Sequence, residues 1–190
     1  MAGKWHTHFR REAPLVLELA CGRGEYSLGL AELSPENNYI GVDIKGARIH
    51  QGAVLAAEQN LNQVAFLRTK IEYIDHFFAP EEIDTIWIIF PDPFLKSHKS
   101  NRRLTSPRFI DRYRKILNKN GTVKLKTDSP LLYEYTLEVI KNDPSIKIVN
   151  RIDDVHHVDH DLDELRIITY YEKMHIARGR KINYIEFTII

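Results

Sequence analysis

Short apolar runs alternate with helix-period segments along most of this chain, and that alternation constrains the fold more than any other feature. Residues 15–20 form an apolar run that ends in Cys21-Gly22-Arg23-Gly24, which reads as a buried strand entering a tight turn. Helical spacing follows over 25–33 and stops at Ser34-Pro35. Further strands are predicted at 38–43, 64–67, 85–90 and 122–127, with helices over 47–60, from Thr105 or Ser106 to Leu117, and over 130–141. The run at 85–90 is apolar on both faces, as a central parallel strand should be. Asn120-Gly121 reads as a stop between a helix and a strand. Strands near 146–149 and 184–190 enclose a last helix expected over 164–178. A repeated βα pattern requires a parallel sheet covered by helices on both faces. No internal repeat, low-complexity tract or linker interrupts it, so residues 1–190 are expected to form one domain.

A chain of 190 residues buries roughly 70% of the surface its unfolded form exposes, enough to fold without disulfide or metal. The single cysteine, Cys21, fits a reducing cytoplasm, which is the expected location. No apolar run approaches the roughly 18 residues of a membrane span, so no membrane partner is expected. The net charge of +1 conceals a segregation. Residues 96–119 hold nine Lys/Arg and one acid, Asp111, while the rest of the chain has 18 basic and 25 acidic side chains. A solvated helix face can carry such a run, but a polyanionic partner explains its segregation.

The first βα turn supplies Gly22 and Gly24, where the absence of a Cβ lets backbone pass close under a ligand. The third glycine of a dinucleotide fingerprint is missing, since Ser27 takes its place, and there is no Gly-Lys-Ser/Thr. Asp43 ends the second strand, 21 residues after Gly22, where an acid can accept both hydroxyls of an adenosine ribose or cap the next helix. Glu18 would repel a pyrophosphate and suits a cationic ligand, the ammonium beside the sulfonium of S-adenosylmethionine. After the fourth strand, Pro91-Asp92-Pro93 is either a stiff exit turn or a holder that fixes the Asp92 carboxylate at low entropic cost. Three histidines and several aspartates in 153–161 look metal-binding, but their spacing matches no standard zinc motif, and no metal is expected.

Together these motifs are recognisable. The Glu-x-x-x-Gly-x-Gly of 18–24, Gly41-Val42-Asp43, Phe90-Pro91-Asp92-Pro93, the Arg102-Arg103 pair, Lys126-Thr127-Asp128 and Thr169-Tyr170-Tyr171-Glu172 resemble the tRNA (guanine-N7-)-methyltransferase family. The resemblance runs from about Lys4 to the C-terminus. It implies a doubly wound, mostly parallel seven-stranded α/β sheet of the Rossmann-like class I methyltransferase type, with a reversed strand near the C-terminus. It implies methylation of guanine N7 at position 46 of the tRNA variable loop, with S-adenosylmethionine as cofactor and tRNA as partner, by a monomer or homodimer. Carried over by motif, Glu18, Gly22, Gly24, Asp43 and Asp92 would bind the cofactor, and Asp92 would also be catalytic. Lys96, Arg102, Arg103, Asp128, Thr169, Tyr170, Tyr171 and Glu172 would bind substrate. Tyr133 and Tyr135 are further stacking candidates, or else half-buried core. Three positions depart from the family pattern: Phe94 where Trp is usual, Lys99 beside His98 where a His is usual, and Lys70 where an Asp or Asn contacts the cofactor. A methyltransferase-like RNA-binding module with weakened activity is the alternative.

Overall fold

A computed structural model describes all residues, 1–190. Its frame is a seven-stranded sheet. The strands are β1 (Leu15–Leu19), β2 (Asn38–Asp43), β3 (Val64–Arg68), β4 (Ile83–Ile89), β5 (Leu117–Thr127), β6 (Ile146–Ile152) and β7 (Asn183–Ile189). They lie in the order β3-β2-β1-β4-β5-β7-β6. The first five are parallel, and β7 runs antiparallel between β5 and β6. The helices are α1 (Trp5–Phe9), α2 (Glu25–Leu33), α3 (Gly46–Glu58), α4 (Pro107–Ile116), α5 (Pro130–Asn142) and α6 (Tyr170–Ala177). None is long and apolar enough to cross a membrane.

The periodicity translates into two apolar layers. One face of the sheet packs Leu17, Leu19, Ile86, Ile88, Val123 and Leu125 with α4 and α5 residues such as Ile110 and Leu132. The other packs Val16, Trp87, Ile89 and Tyr184 against Tyr26 and Leu30 of α2. Alternate residues of one strand feed opposite layers, as the period of two requires. β1 is buried along its whole length, Glu18 included, which is why its other four residues are all apolar.

Three expectations need correction. Asn120-Gly121 does not stop the chain: β5 starts at Leu117 and passes through it. The register jumps there, from Ile83 opposite Leu117 to Thr85 opposite Thr122, so the turn-forming pair sits in a bulge. Gly121 fits because a Cβ would come within 2.8 Å of the Leu117 side chain and 3.1 Å of the Asn118 carbonyl oxygen. Second, the last helix is broken into a 3-10 turn at Asp163–Arg166 and α6 from Tyr170. The carbonyls of Leu165 and Ile167, which a continuous helix would use internally, instead accept from the buried Lys126 ammonium at 2.9 and 3.1 Å. Third, the short α1 and the 3-10 turns at Ile71–His76 and Ser97–Arg102 were not foreseen. α1 is held by Trp5, whose ring stacks on Phe78 at 5.5 Å and whose indole N–H donates to the Phe77 carbonyl.

Candidate active site

The carboxyl ends of β1, β2, β4 and β5 open onto three adjoining cavities, where ligands sit in an open α/β sheet. A cleft of about 290 Å³ lies over the first βα turn, lined by Glu18, Gly22, Arg23, Tyr26, Asp43, Tyr170 and Tyr171 among others. A second, of about 400 Å³, lies between Asp43, Ile44, Lys70, Phe94 and Arg102. A third, of about 910 Å³, opens toward Asp128, Tyr133, Arg151 and Arg180. Pro91 and Asp92 border all three.

The turn after β1 is built from left-handed backbone. Ala20, Gly22 and Gly24 have φ of 59°, 58° and 72°. At Gly24 a Cβ would stand 2.4 Å from the Phe66 ring, so glycine is required twice over. At Gly22 nothing lies within 4 Å, so the backbone there faces open cleft. Asp43 is buried and oriented by two backbone donors, Gly22 N–H at 3.0 Å and Lys45 N–H at 2.8 Å. It therefore ties the glycine turn to the start of α3 while lining two cavities.

Glu18 is also buried, and Ser27 explains how. The Ser27 backbone N–H donates to the carboxylate at 2.8 Å, and the Ser27 hydroxyl makes a second, short bond to the same oxygen. The residue that replaces the third glycine of a dinucleotide fingerprint is thus the partner of the acid. Burial pushes the Glu18 carboxyl up to about 7; Glu25 and Asp43 add to the rise, against the two Ser27 bonds. Cys21 lines the same cleft, and burial pushes its thiol well above its ordinary range, which makes it inert packing.

The loop after β4 stores strain. Phe90 and Phe94 bracket Pro91-Asp92-Pro93 with φ of 45° and 42°, a region that bulky residues rarely adopt. Asp92 is exposed and accepts from the Phe94 N–H at 2.9 Å. Arg103 is buried; its guanidinium donates to the Pro93 and Phe94 carbonyls at 2.9 and 3.0 Å and covers the Tyr135 ring. Arg103 and Tyr135 therefore hold the loop from behind. Arg102 is exposed, 4.7 Å over the Phe94 ring, and Lys96 is exposed as well. Elsewhere in the basic segment Arg112 and Lys115 pair with Asp75, and Arg114 with Asp143.

The remaining site positions fall into two groups. Tyr170 and Tyr171 are half exposed at the cleft mouth, in edge contact at 5.8 Å. Thr169 caps α6 by accepting from the Glu172 N–H at 3.3 Å. Glu172 itself has no exposed surface. It pairs with Lys126 at 2.7 Å and with His156 at 2.8 Å. Asp128 pairs with Arg180 and stands 3.1 Å from His175. Tyr133 is buried, its hydroxyl engaged with Asp153 and Arg151. The histidines of 153–161 each have protein partners, and no group of three or more His, Cys, Asp or Glu converges to hold a metal.

Reasoning from sequence missed Ser27, Arg23, Tyr26 and His175. His175 had a usable signal, since it lies four residues after Tyr171 on α6 and so shares its face.

A parallel sheet with one reversed strand, and an acidic cleft over its first two strands, define a class I S-adenosylmethionine-dependent methyltransferase. Solved structures agree on the fold. The 30S ribosomal A1408 methyltransferase from an uncultured bacterium superposes with a TM-score of 0.69 at 15% identity, covering 99% of this chain and 93% of that one. A SAM-dependent methyltransferase from Aquifex aeolicus gives 0.64 at 13% identity, covering 99% and 89%. Residues 12–185 match the family described as "Putative methyltransferase". The tRNA (guanine-N(7)-)-methyltransferase of Bacteroides fragilis is 46% identical over 190 residues, covering all of this chain and 74% of the relative. That of Cytophaga hutchinsonii is 42% identical over 195 residues, covering 99% and 86%. That of Streptococcus thermophilus is 32% identical over 185 residues, covering 97% and 84%. The chain belongs to the tRNA (guanine-N7-)-methyltransferase family.

The donor set in the cleft suits S-adenosylmethionine. Two buried carboxylates, Glu18 and Asp43, face it, the open space over Gly22 admits a ligand close to backbone, and no phosphate-binding loop is present.

Proposed function

We propose that this protein methylates N7 of guanine at position 46 of the tRNA variable loop, acting in the cytoplasm as a single-domain monomer or homodimer. The carrying observation is that Pro91 and Asp92 border all three cavities, so one rigid carboxylate adjoins cofactor and acceptor together. The cofactor supplies a methyl group on a sulfonium. Glu18 meets its ammonium, Asp43 its ribose hydroxyls, and the Gly22 and Gly24 backbone lets it lie close. Guanine N7 carries a lone pair and no proton, so the protein needs no general base. Its task is an in-line approach at roughly 3–3.5 Å with water excluded. Positive charge moves onto the purine during transfer, and the Asp92 carboxylate stabilises it while accepting from guanine N1–H and N2–H. Lys96 and Arg102 pair with phosphates, Tyr170 and Tyr171 stack on bases at the mouth, and Thr169 and Glu172 position them by fixing the start of α6. Arg103 serves substrate by holding the Asp92 loop.

The alternative, an RNA-binding module without transfer activity, is disfavoured because Glu18, Asp43 and Asp92 all stand at the cleft. The test is methyl transfer from labelled S-adenosylmethionine to unmodified tRNA, with nucleoside analysis. The expected product is labelled 7-methylguanosine, absent from the Asp92→Ala variant although both ligands still bind. Cofactor and tRNA binding without transfer by the unaltered protein would favour the module.

A further inference from the structure

His175 occupies a place that neither the motifs nor the family resemblance assigns. It lines both the cofactor cleft and the large third cavity, beside Phe90 and Asp92, which line both as well. Its ring stacks on Phe90, with centroids 5.4 Å apart and planes 29° from parallel. Phe90 is held in left-handed backbone immediately before Pro91-Asp92. The ring thus lies against the loop that carries Asp92.

The two edges of the imidazole differ. Nδ1 is enclosed, 3.1 Å from the Asp128 carboxylate but out of line for a formed hydrogen bond, and it has no other partner. A small rotation of the ring completes that bond. The side chain is 18% exposed; Nδ1 contributes nothing to that exposure, whereas Nε2 has no hydrogen-bond partner within the protein and is not enclosed. Asp128 meanwhile is already hydrogen-bonded by Arg180 through Oδ2, the oxygen that His175 Nδ1 approaches.

Resting on the methyltransferase reading above, we propose that His175 is the direct contact to the acceptor guanine and that Asp128 acts through it. With Nδ1–H donated to Asp128, the neutral imidazole carries its lone pair on Nε2. Nε2 then accepts from the guanine 2-amino group. That group has two hydrogens, so it serves Nε2 and Asp92 together. A neutral ring also adds no positive charge where the purine becomes cationic. The arrangement selects guanine by its 2-amino donor, which adenine lacks. A site built around a hydrogen bond rejects analogues that lack the donor, because its buried acceptor is left unpaired.

The test uses two tRNAs that differ only at the acceptor position, guanosine or inosine, the latter lacking the 2-amino group. The unaltered protein is expected to prefer guanosine by about tenfold or more in kcat/KM. In His175→Asn an amide takes the place of Nδ1, keeps Asp128 satisfied and removes Nε2. The preference should fall several-fold, with cofactor affinity unchanged. His175→Gln, which restores a polar atom near Nε2, should recover part of it. Asp128→Asn should lower the preference without abolishing transfer. Should one variant fail to fold, His175→Phe keeps the stack on Phe90 and serves as the second. An unaltered guanosine preference in these variants, or a loss of cofactor affinity in its place, would overturn the assignment. Equal use of both tRNAs by the unaltered protein would overturn it too, and the Asp92 bond to N2–H with it, while methyl transfer to N7 stands. No transfer to either tRNA would refute that reading and this one with it.

Discussion

The environment of Glu18 predicts that cofactor affinity depends on pH in a range where carboxylates are normally silent. Burial raises its carboxyl from the ordinary 4.5 to about 7 in the free protein. A cationic ligand binds the ionised form, so below that value binding must first expel a proton. For a group titrating at about 7, roughly three quarters is ionised at about pH 7.5 and about one part in thirty at about pH 5.5. Affinity for S-adenosylmethionine should therefore fall about 20-fold across that interval, or about 1.8 kcal/mol. The upper limit matters, because an α-amino group itself titrates at about 7.7–8.0. Calorimetric titration at several pH values, in two buffers of different ionisation heat, reads both the affinity and the released proton. Glu18→Gln should bind weakly with little pH dependence and no proton release. An affinity constant within twofold from about pH 5.5 to 7.5 in the unaltered protein, or the same slope in Glu18→Gln, would refute the reasoning. Stability without cofactor carries the opposite sign. The folded state holds the Glu18 proton more tightly than the unfolded state, so this contribution is full below about 4.5 and is lost as pH rises through about 7. Above that, Glu18→Gln should be the more stable protein, by up to about 3 kcal/mol.

Three further perturbations test other parts of the site. Glu172→Gln leaves the Lys126 ammonium buried without its counter-charge, so it should cost about 3–5 kcal/mol and lower Tm by about 10 °C; Lys126→Met with Glu172→Leu should recover most of that in thermal melts. Arg102→Ala should weaken tRNA binding and reduce its salt dependence by about one unit of slope, whereas Arg103→Ala, which removes two bonds to loop carbonyls, should leave the slope alone and lower kcat. Gly24→Ala must displace the Phe66 ring as well as strain its own φ, and should destabilise by more than the roughly 1–2 kcal/mol that backbone strain alone costs in Gly22→Ala. Melts without ligand check the order of those two variants, and cofactor titration checks that Gly22→Ala fails mainly in binding.

The parts of this site legible from sequence are those determined by near neighbours. The strand ending at Glu18, the glycine turn and Asp43 lie within one βα unit and its successor, and apolar period plus turn chemistry suffices to place them. Residues whose roles depend on distant partners were read less well. The motif groups Arg103 with Arg102 as a substrate contact, yet it is buried and points at Pro93 and Phe94, because the 3-10 turn at 97–102 brings it back under the loop. Glu172 was grouped with the substrate residues, yet its partner is Lys126, 46 positions away. Asp128 meets Arg180 across 52 positions. No local pattern encodes such pairings, because charge type alone does not say which opposite charge a fold will supply.

The same long-range pairs explain how α6 stays over the cleft. The segment from Asp163 to Ala177 buries little apolar surface: Leu165 is fully packed, while Ile168, Tyr170, Tyr171 and Ile176 are exposed. Beyond Leu165 and the partly buried Ile167, hydrophobic burial contributes little to fixing it. Polar attachments hold it at several points along its length. Tyr26 donates to the Glu164 carbonyl at 2.6 Å, Lys124 pairs with Glu164, and Glu25 accepts from the Tyr170 N–H at 2.7 Å. Lys126 alone reaches Leu165, Ile167 and Glu172. The exposed aromatic rings at the cleft mouth are free to meet a ligand because they are not needed to hold the helix. Anchoring by directed bonds also fixes rotation about the helix axis, which a greasy stripe does only loosely. Tyr171 and His175 depend on that rotation to face the cavity together, so loss of the Lys126–Glu172 pair should disturb substrate positioning before it unfolds the sheet.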